Sequence, residues 1–260
     1  MRLWKDPPMT RSPAPITDAS AAPPGMAPLA ARWLSVIVPV LDEAATIAAH
    51  LAGLAALRRQ GAELLVVDGG SSDGTPRLAQ PLADRVLAAA RGRAAQMNAG
   101  AAASRGEVLL FLHADTGLPP AAAELIRAAL AAGAAWGRFD VRIDGPQPLL
   151  RVVERTMNWR SRLTGIATGD QAVFVRREVF ERVGGFPDLP LMEDIALAKR
   201  LKRVGRPACV RQPVRTSARR WHRHGVLRTI LLMWRLRTSY FFGADPRRLA
   251  IRYGYSPRQD

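Results

Sequence analysis

Glu107-Val108-Leu109-Leu110-Phe111-Leu112-His113-Ala114-Asp115 decides how the rest of the chain is read. Five consecutive apolar residues, a length that suits a strand, stop abruptly at a polar His-x-Asp. An apolar run without alternation fits a strand covered on both faces, as in a parallel sheet. The Asp115 carboxylate would then lie where open α/β sheets bind ligands. From this stretch alone, a buried strand followed by a helix-capping Asp fits equally well.

The neighbouring sequence repeats the pattern. Leu34-Ser35-Val36-Ile37-Val38-Pro39-Val40 is a β-branched run ended by proline. A helix is expected over 43–59, with Asp42 as its cap and Gly61 past its end. Glu63-Leu64-Leu65-Val66-Val67-Asp68 is a second apolar strand ending in Asp. The following Gly69-Gly70-Ser71-Ser72-Asp73-Gly74-Thr75 is turn chemistry, and Pro76 suits the first turn of a helix. A short strand over 85–87, a helix over 93–104, the Asp115 strand and a helix over 119–132 continue the alternation. Strand and helix at this spacing mean right-handed βαβ units and a parallel sheet. Beyond Gly133 the rhythm changes to an alternating strand (136–143), a helix (149–163), a loop (164–170) and a buried strand (172–175). The last clear element is an amphipathic helix over 193–204, with Leu197, Leu201 and Val204 inward and Gly205 stopping it.

Composition sets the outer limits. The chain has 260 residues, enough for one α/β domain with a real core, and 48% are hydrophobic, which excludes a wholly disordered protein. The formal net charge of +16, nearly all from Arg, fits nucleic acid, an anionic membrane surface or anionic small substrates. A compositional bias toward Ala, Arg, Gly and Pro explains it without any partner. The single cysteine, Cys209, excludes an internal disulfide framework and a cysteine-based metal cluster, and its apolar setting reads as a buried thiol. Residues 1–32 are rich in Pro and Ala and read as a disordered tail. No secretory signal is evident and no stretch reaches the roughly 18 apolar residues of a spanning helix, so a cytoplasmic protein, or one peripheral to the inner face of the membrane, is expected. Residues 225–243 place aromatic and aliphatic side chains among arginines; such a helix can lie on an anionic membrane, cover its own domain or form a homodimer face.

Three acidic positions stand out: Asp68, Asp115 and the pair Glu193-Asp194. The first two end strands of one sheet, and the third opens a helix, where the dipole favours a carboxylate. With them the chain resembles a family 2, GT-A-fold glycosyltransferase. The pieces that carry the resemblance are 36–43, 66–75, Arg93-Ala94-Ala95-Gln96-Met97-Asn98-Ala99-Gly100, 111–115, Val183-Gly184-Gly185-Phe186, Glu193-Asp194 and Arg220-Trp221, in the family's order over about 34–221. The runs 163–177, 184–195 and 216–221 also resemble the bacterial subgroup named for arsenosugar biosynthesis.

The resemblance implies a GT-A fold: a Rossmann-like, mainly parallel sheet with helices on both faces, in a single catalytic domain over 33–224 followed by an amphipathic extension over 225–260. It implies an inverting transfer from a UDP- or GDP-linked sugar to a small or lipid-like acceptor. Pro39, Glu43, Asp68, Arg93, Asn98, Ala114, Asp115 and Arg220 would serve the donor, with Arg91 and Arg219 as further phosphate contacts. Asp115 matches the last acid of the family's Asp-x-Asp metal motif and would hold Mg²⁺ or Mn²⁺. His113 replaces the first acid, and a single carboxylate plus substrate phosphates still suits Mg²⁺. Asp194 matches the general base, while Glu193 would point elsewhere on its helix and orient or cap. Gly169, Asp170, Gln171 and Trp221 fall to the acceptor side. Ser217 stands where processive members have Gln, which implies transfer of single sugars.

The rival enzyme class is a nucleotidyltransferase, whose Gly-rich basic loop after the first strand is here Pro39-Val40-Leu41-Asp42-Glu43. No Gly-x-Gly-x-x-Gly follows that strand, which disfavours a dinucleotide-binding dehydrogenase. A basic nucleic-acid-binding protein would explain the charge but not the ordered acids, and no nucleic-acid module is recognised.

Overall fold

A computed structural model describes residues 32–255. All but Arg32 of the expected tail, and 256–260 of the expected extension, lie outside the described residues. β1 (Leu34–Val40), β2 (Glu63–Asp68), β3 (Arg85–Ala88) and β4 (Val108–Phe111) are parallel neighbours in the order β3-β2-β1-β4. Leaving β1, the chain builds outward through β2 and β3, then returns to pair β4 with the opposite edge of β1. Beyond β4 the sheet is mixed. β7 (Val173–Arg176) pairs antiparallel with β4 and with β6 (Trp136–Asp144), β8 (Ala208–Ser217) lies parallel to β6, and β5 (Thr116–Gly117) closes the far edge.

Strand side chains alternate between two cores. Val36, Val38, Leu64, Val66 and Leu110 face α1 (Ile47–Gly53), α2 (Ala55–Arg59) and α5 (Ala122–Ala131). Ile37, Val67, Leu109, Phe111 and Val175 face α4 (Arg93–Ala103), α7 (Arg177–Arg182) and α8 (Glu193–Leu201). On that second face Phe111, Phe180 and Phe186 meet with ring centroids 4.8 to 5.7 Å apart. Burial on both faces is why these strands read as unbroken apolar runs.

α6 (Pro148–Thr164) is fastened along β6 by polar groups. Asn158 pairs with both backbone groups of Val141 at 2.9 and 3.0 Å, and Glu154 Oε1 accepts the Ile143 amide. The fully buried Arg138 is held by Asp140, which also takes Arg162 from α6. Buried charge is tolerated there because each partner is engaged. α9 (Arg219–His224), α10 (Val226–Phe241) and α11 (Pro246–Tyr253) follow β8. Leu236, Leu249 and Ala250 of this C-terminal part bury against Leu191, Met192 and Ile195 at the start of α8.

Several expectations change. Asp42 caps no helix: it turns the chain at φ +52°, and its carboxylate accepts Ser72 N–H at 2.8 Å. The expected helix over 43–59 starts only at Ile47, because the first residues after Asp42 are tied to the loop after β2, and it is divided at Leu54 into α1 and α2. Val204 is exposed, since α8 ends at Leu201. Cys209 is only partly buried, on β8.

α4 crosses β1 and β2 at Gly100, where a Cβ would stand 2.5 Å from Ile37 Cγ2 and 2.9 Å from Val67 Cγ2. Gly53 on α1 has open space instead. Gly100→Val is expected to destabilise the fold by about 1–3 kcal/mol through overpacking. Gly53→Ala is expected to stabilise it by about 0.5–1 kcal/mol through helix propensity. Urea unfolding of both variants measures the contrast; equal behaviour would show that α4 does not ride directly on the sheet.

Candidate active site

The carboxyl ends of β1, β2 and β4 open on the same side, and hydrogen bonds lace the loops that leave them. Gln96 on α4 is buried and donates its amide to Val40 O and Val67 O, both at 2.8 Å, tying the ends of β1 and β2 together. Asp42 N–H donates to Ser71 Oγ, Glu43 N–H to Thr75 Oγ1 and Ala44 N–H to Asp73 Oδ2, at 2.8 to 2.9 Å. Asp68 Oδ2 accepts Gly70 N–H and Ser71 N–H at 2.9 and 3.0 Å, and Oδ1 accepts the Ser71 hydroxyl. Its carboxylate is therefore engaged by its own turn.

Two cavities meet over this edge. The first, about 360 Å³, is lined by Pro39, Glu43, Arg91, Arg93, Ala114 and Asp115, and by the 188–190 loop. Glu43 also accepts Arg219 at 3.0 Å, joining the loop after β1 to α9. The second, about 500 Å³, holds Gly169, Asp170, Glu193, Asp194 and Trp221. Arg93, His113 and Asp115 line both.

The second cavity is organised by a 3-10 turn, Gly169–Gln171. Gly169 N–H donates to Asp194 Oδ2 at 2.8 Å, while Asp194 Oδ1 accepts Ile195 N–H at 2.7 Å. Met192 takes φ +69° just before α8, which aims the helix start inward. His113 Nδ1 lies 3.5 Å from Asp170 Oδ1. Its ring covers Gly169 so closely that a Cβ there would sit 2.4 Å from Cε1. Enclosure disfavours charge on Asp170, but His113, then Arg93 and Arg237, hold its carboxyl below the usual value. Glu193 is 5% exposed, and burial, followed by the charge of Asp194, pushes its pKa up to about 7. Behind Asp115, burial pushes His50 on α1 down to about 4 despite the pull of that carboxylate, so its ring is neutral near pH 7.

Of the residues expected on the donor side, Pro39, Glu43, Arg93, Ala114 and Asp115 come together. Asp68 does not line the cavity, and Asn98 is engaged elsewhere: its amide pairs with Phe186 N–H and C=O at 3.0 and 2.8 Å. The Arg220 side chain lies outside the described residues. On the other side Gly169, Asp170, Glu193, Asp194 and Trp221 converge, while Gln171 is fully buried and accepts Thr168 N–H at 3.2 Å. Glu193 does not point elsewhere on its helix as expected; it faces the same cavity as Asp194. Two arginines of that cavity were given no site role from the sequence, Arg160 on α6 and Arg237 on α10. Each interrupts an apolar helical stripe: Val153, Met157, Arg160 and Ile230, Met233, Arg237.

Among the described residues no three His, Cys, Asp or Glu side chains form a metal cage. Asp115 nevertheless fits one role. Its carboxylate accepts Thr116 Oγ1 at 3.2 Å and faces both cavities, a setting that suits a cation completing its shell with water and phosphate oxygens.

The family model for glycosyl transferase family 2 matches residues 35–184. Among solved structures, the chain is similar to S. aureus TarS 1-349 in complex with UDP-GlcNAc, with TM-score 0.59 and 18% identity over 72% of this chain and 58% of that one. It is also similar to a mannosyltransferase from Pyrobaculum calidifontis in complex with GDP-Man and Mn²⁺, with TM-score 0.57 and 24% identity over 86% and 66% of the two chains. A third is glucosyl-3-phosphoglycerate synthase from Mycobacterium tuberculosis in complex with Mn²⁺, UDP and glucosyl-3-phosphoglycerate, with TM-score 0.53 and 21% identity over 72% and 71%. The chain spans 60% of the TarS 1-349 fragment without ligand. No curated protein matches. At these identities the likeness establishes the fold, the mainly parallel GT-A sheet expected from the sequence.

The Glu193 shift gives a pH-dependent stability. The folded-state pKa of about 7 exceeds the ordinary 4.5, so the group's stabilising contribution is complete below pH 4.5 and disappears as pH rises through 7. Glu193→Gln is therefore expected to raise stability on the order of 2 kcal/mol above pH 7 and to match wild type near pH 4.5. His50 acts oppositely, losing stability as pH falls from 6.5 toward 4, but it is common to both proteins and cancels in the difference. Thermal melts across this range test it; a pH-independent difference would place Glu193 in a solvated setting.

Proposed function

The chain belongs to glycosyl transferase family 2, and we propose that it is a metal-assisted, inverting, non-processive glycosyltransferase. The observation that carries this reading is the meeting of two cavities at Arg93, His113 and Asp115, with the base candidate Asp194 on the side away from Pro39 and Glu43. The first cavity would take a UDP- or GDP-linked sugar, nucleoside toward Pro39 and Glu43, diphosphate toward Arg91 and Arg93. Asp115 would hold Mg²⁺ or Mn²⁺. When bound, the cation supplies positive charge to the diphosphate oxygens.

The acceptor occupies the second cavity. Its hydroxyl oxygen attacks the anomeric carbon as the bond to the nucleoside diphosphate breaks, and the hydroxyl proton passes to Asp194. Attack opposite the leaving group inverts the configuration. Two backbone amides fix the Asp194 carboxylate, so it needs little reorganisation. Asp68 and Asn98 then act at one remove, shaping the loops that carry the contact residues. The runs 163–177, 184–195 and 216–221 each contribute to the second cavity, so the resemblance to the arsenosugar-biosynthesis subgroup supports a shared acceptor class. No helix among the described residues is long and apolar enough to cross a membrane; the exposed Leu227, Leu231, Phe241 and Phe242 of the α10 region are the surface proposed for peripheral contact at the inner face.

Calorimetric titration of UDP and GDP, with and without Mn²⁺, is expected to show metal-dependent binding of one nucleotide. Asp115→Ala is expected to weaken it by at least about tenfold, as for loss of a charged ligand. Asp194→Asn should leave nucleotide binding intact and slow sugar transfer, including donor hydrolysis, by roughly 10²–10⁴-fold. Unchanged binding in Asp115→Ala would sink the proposed metal site.

A further inference from the structure

Arg160 and Arg237 face the second cavity from α6 and α10, and neither makes a short ion pair, although Asp194 acts on both and Asp170 on Arg237 at longer range. Nε and Nη2 of Arg160 are buried without a hydrogen-bond partner. Among the described residues no carboxylate lies within 4.0 Å of either guanidinium. The acids of the same cavity are engaged elsewhere, Asp170 with His113 and Asp194 with Gly169 and Ile195 amides. Burial, then the like charge of Arg237, pushes Arg160 down to about 10, so it still carries its charge near pH 7. Two guanidiniums that share one cavity and lack a short salt bridge form a planar-donor site suited to a tetrahedral oxyanion.

The rest of the cavity is apolar. Val153, Met157, Leu191 and Ile230 form its walls. Trp159 and Trp234 stand at its mouth, lining it while remaining 66% and 67% exposed. Leu163, Leu227 and Leu231 extend the apolar surface outward at 58%, 63% and 66% exposure. A volume of about 500 Å³ matches sites that enclose a small molecule.

We infer that the acceptor is an amphiphile whose phosphate-type headgroup binds between Arg160 and Arg237 and whose apolar body leaves between Trp159 and Trp234. The inference rests on the transferase reading for the word acceptor, but the binding site stands on the cavity itself. The headgroup belongs either to a dissolved amphiphile or to a bilayer lipid, and both offer the same chemistry to the arginines.

The test titrates decyl phosphate, decyl maltoside and inorganic phosphate into wild type, Arg160→Gln, Arg237→Gln and the double variant, followed by tryptophan fluorescence and calorimetry. Decyl phosphate is expected to bind at least about tenfold more tightly than either control, and each Gln variant to lose about tenfold. Removing two of the 38 Lys and Arg leaves the general attraction of a +16 chain for anions nearly intact, so such a loss is specific to the site. Arg160→Lys guards against misfolding: it keeps the charge, loses the planar fork and should fall between wild type and Gln. Equal affinity for decyl maltoside, or undiminished binding in the double variant, overturns the proposal. Sedimentation with phosphatidylcholine vesicles, with and without phosphatidic acid, separates the sources. Dependence on Arg160 and Arg237 there assigns a bilayer lipid; arginine-dependent binding of decyl phosphate alone assigns a dissolved amphiphile. Nucleotide titration of wild type with Mn²⁺ is read separately, so failure of the donor site and failure of this site cannot be confused.

Discussion

Parallel hydrogen bonding on both edges of β1 is the constraint from which the site follows. β2 and β4 both run in the direction of β1, so the loops after all three strands emerge on one side. The chain departs from β1 in one direction and comes back to its other edge, which opens a crevice where the connections diverge. Gln96 bridges that divergence, because one amide donates to carbonyls of both β1 and β2, and Val40 O also accepts Gly69 N–H at 3.0 Å. Pro39, Glu43 and Asp115 reach the same cavity for this reason, although up to 76 positions separate them in sequence.

A second constraint couples the strand ends to the helix that carries Asp194. The 3-10 turn at Gly169–Gln171 touches both: Asp170 holds the His113 ring, and the Gly169 amide holds Asp194. Glycine is required at 169 because the imidazole occupies the volume of a side chain. The two acids opening α8 thereby acquire different characters. Asp194 is fixed by amides, whereas Glu193 lies in a drier setting that favours its protonated form. Near pH 7 Glu193 then carries only part of a full negative charge beside Asp194.

The sequence displayed the strands up to β4 and the acidic strand ends, because each depends on local pattern. It hid what depends on partners distant along the chain. Asp42 looked like a cap, yet its carboxylate bonds Ser72, 30 positions away. Asn98 sits within a donor-side motif, yet its partner is the Phe186 backbone, 88 positions away. β8 was obscured by Pro213 and by the register shift where it pairs with β6, and β5 has only two residues. Arg160 and Arg237 were visible as arginines in apolar stripes, but in a chain so rich in Arg they resembled ordinary solvated flank. Only the folded arrangement shows that both stripes face one cavity.

That arrangement also changes the standing of the C-terminal helices. Read from sequence, 225–260 is an appendage to a catalytic domain. In the fold, Met233, Trp234, Leu236 and Arg237 of α10 and Tyr253 of α11 line the cavity that contains Asp194, and Leu236 and Leu249 bury against the residues that open α8. A helix in that position affects two properties at once. Its apolar contacts stabilise the Met192 backbone turn that aims Glu193 and Asp194 inward, and Arg237 adds positive charge to the cavity. Asp194 belongs to the sheet-and-helix framework, while much of the wall of its cavity is supplied by α6 and α10. On the proposed function, changes confined to these two helices would then keep the donor chemistry and change the molecule that receives the sugar.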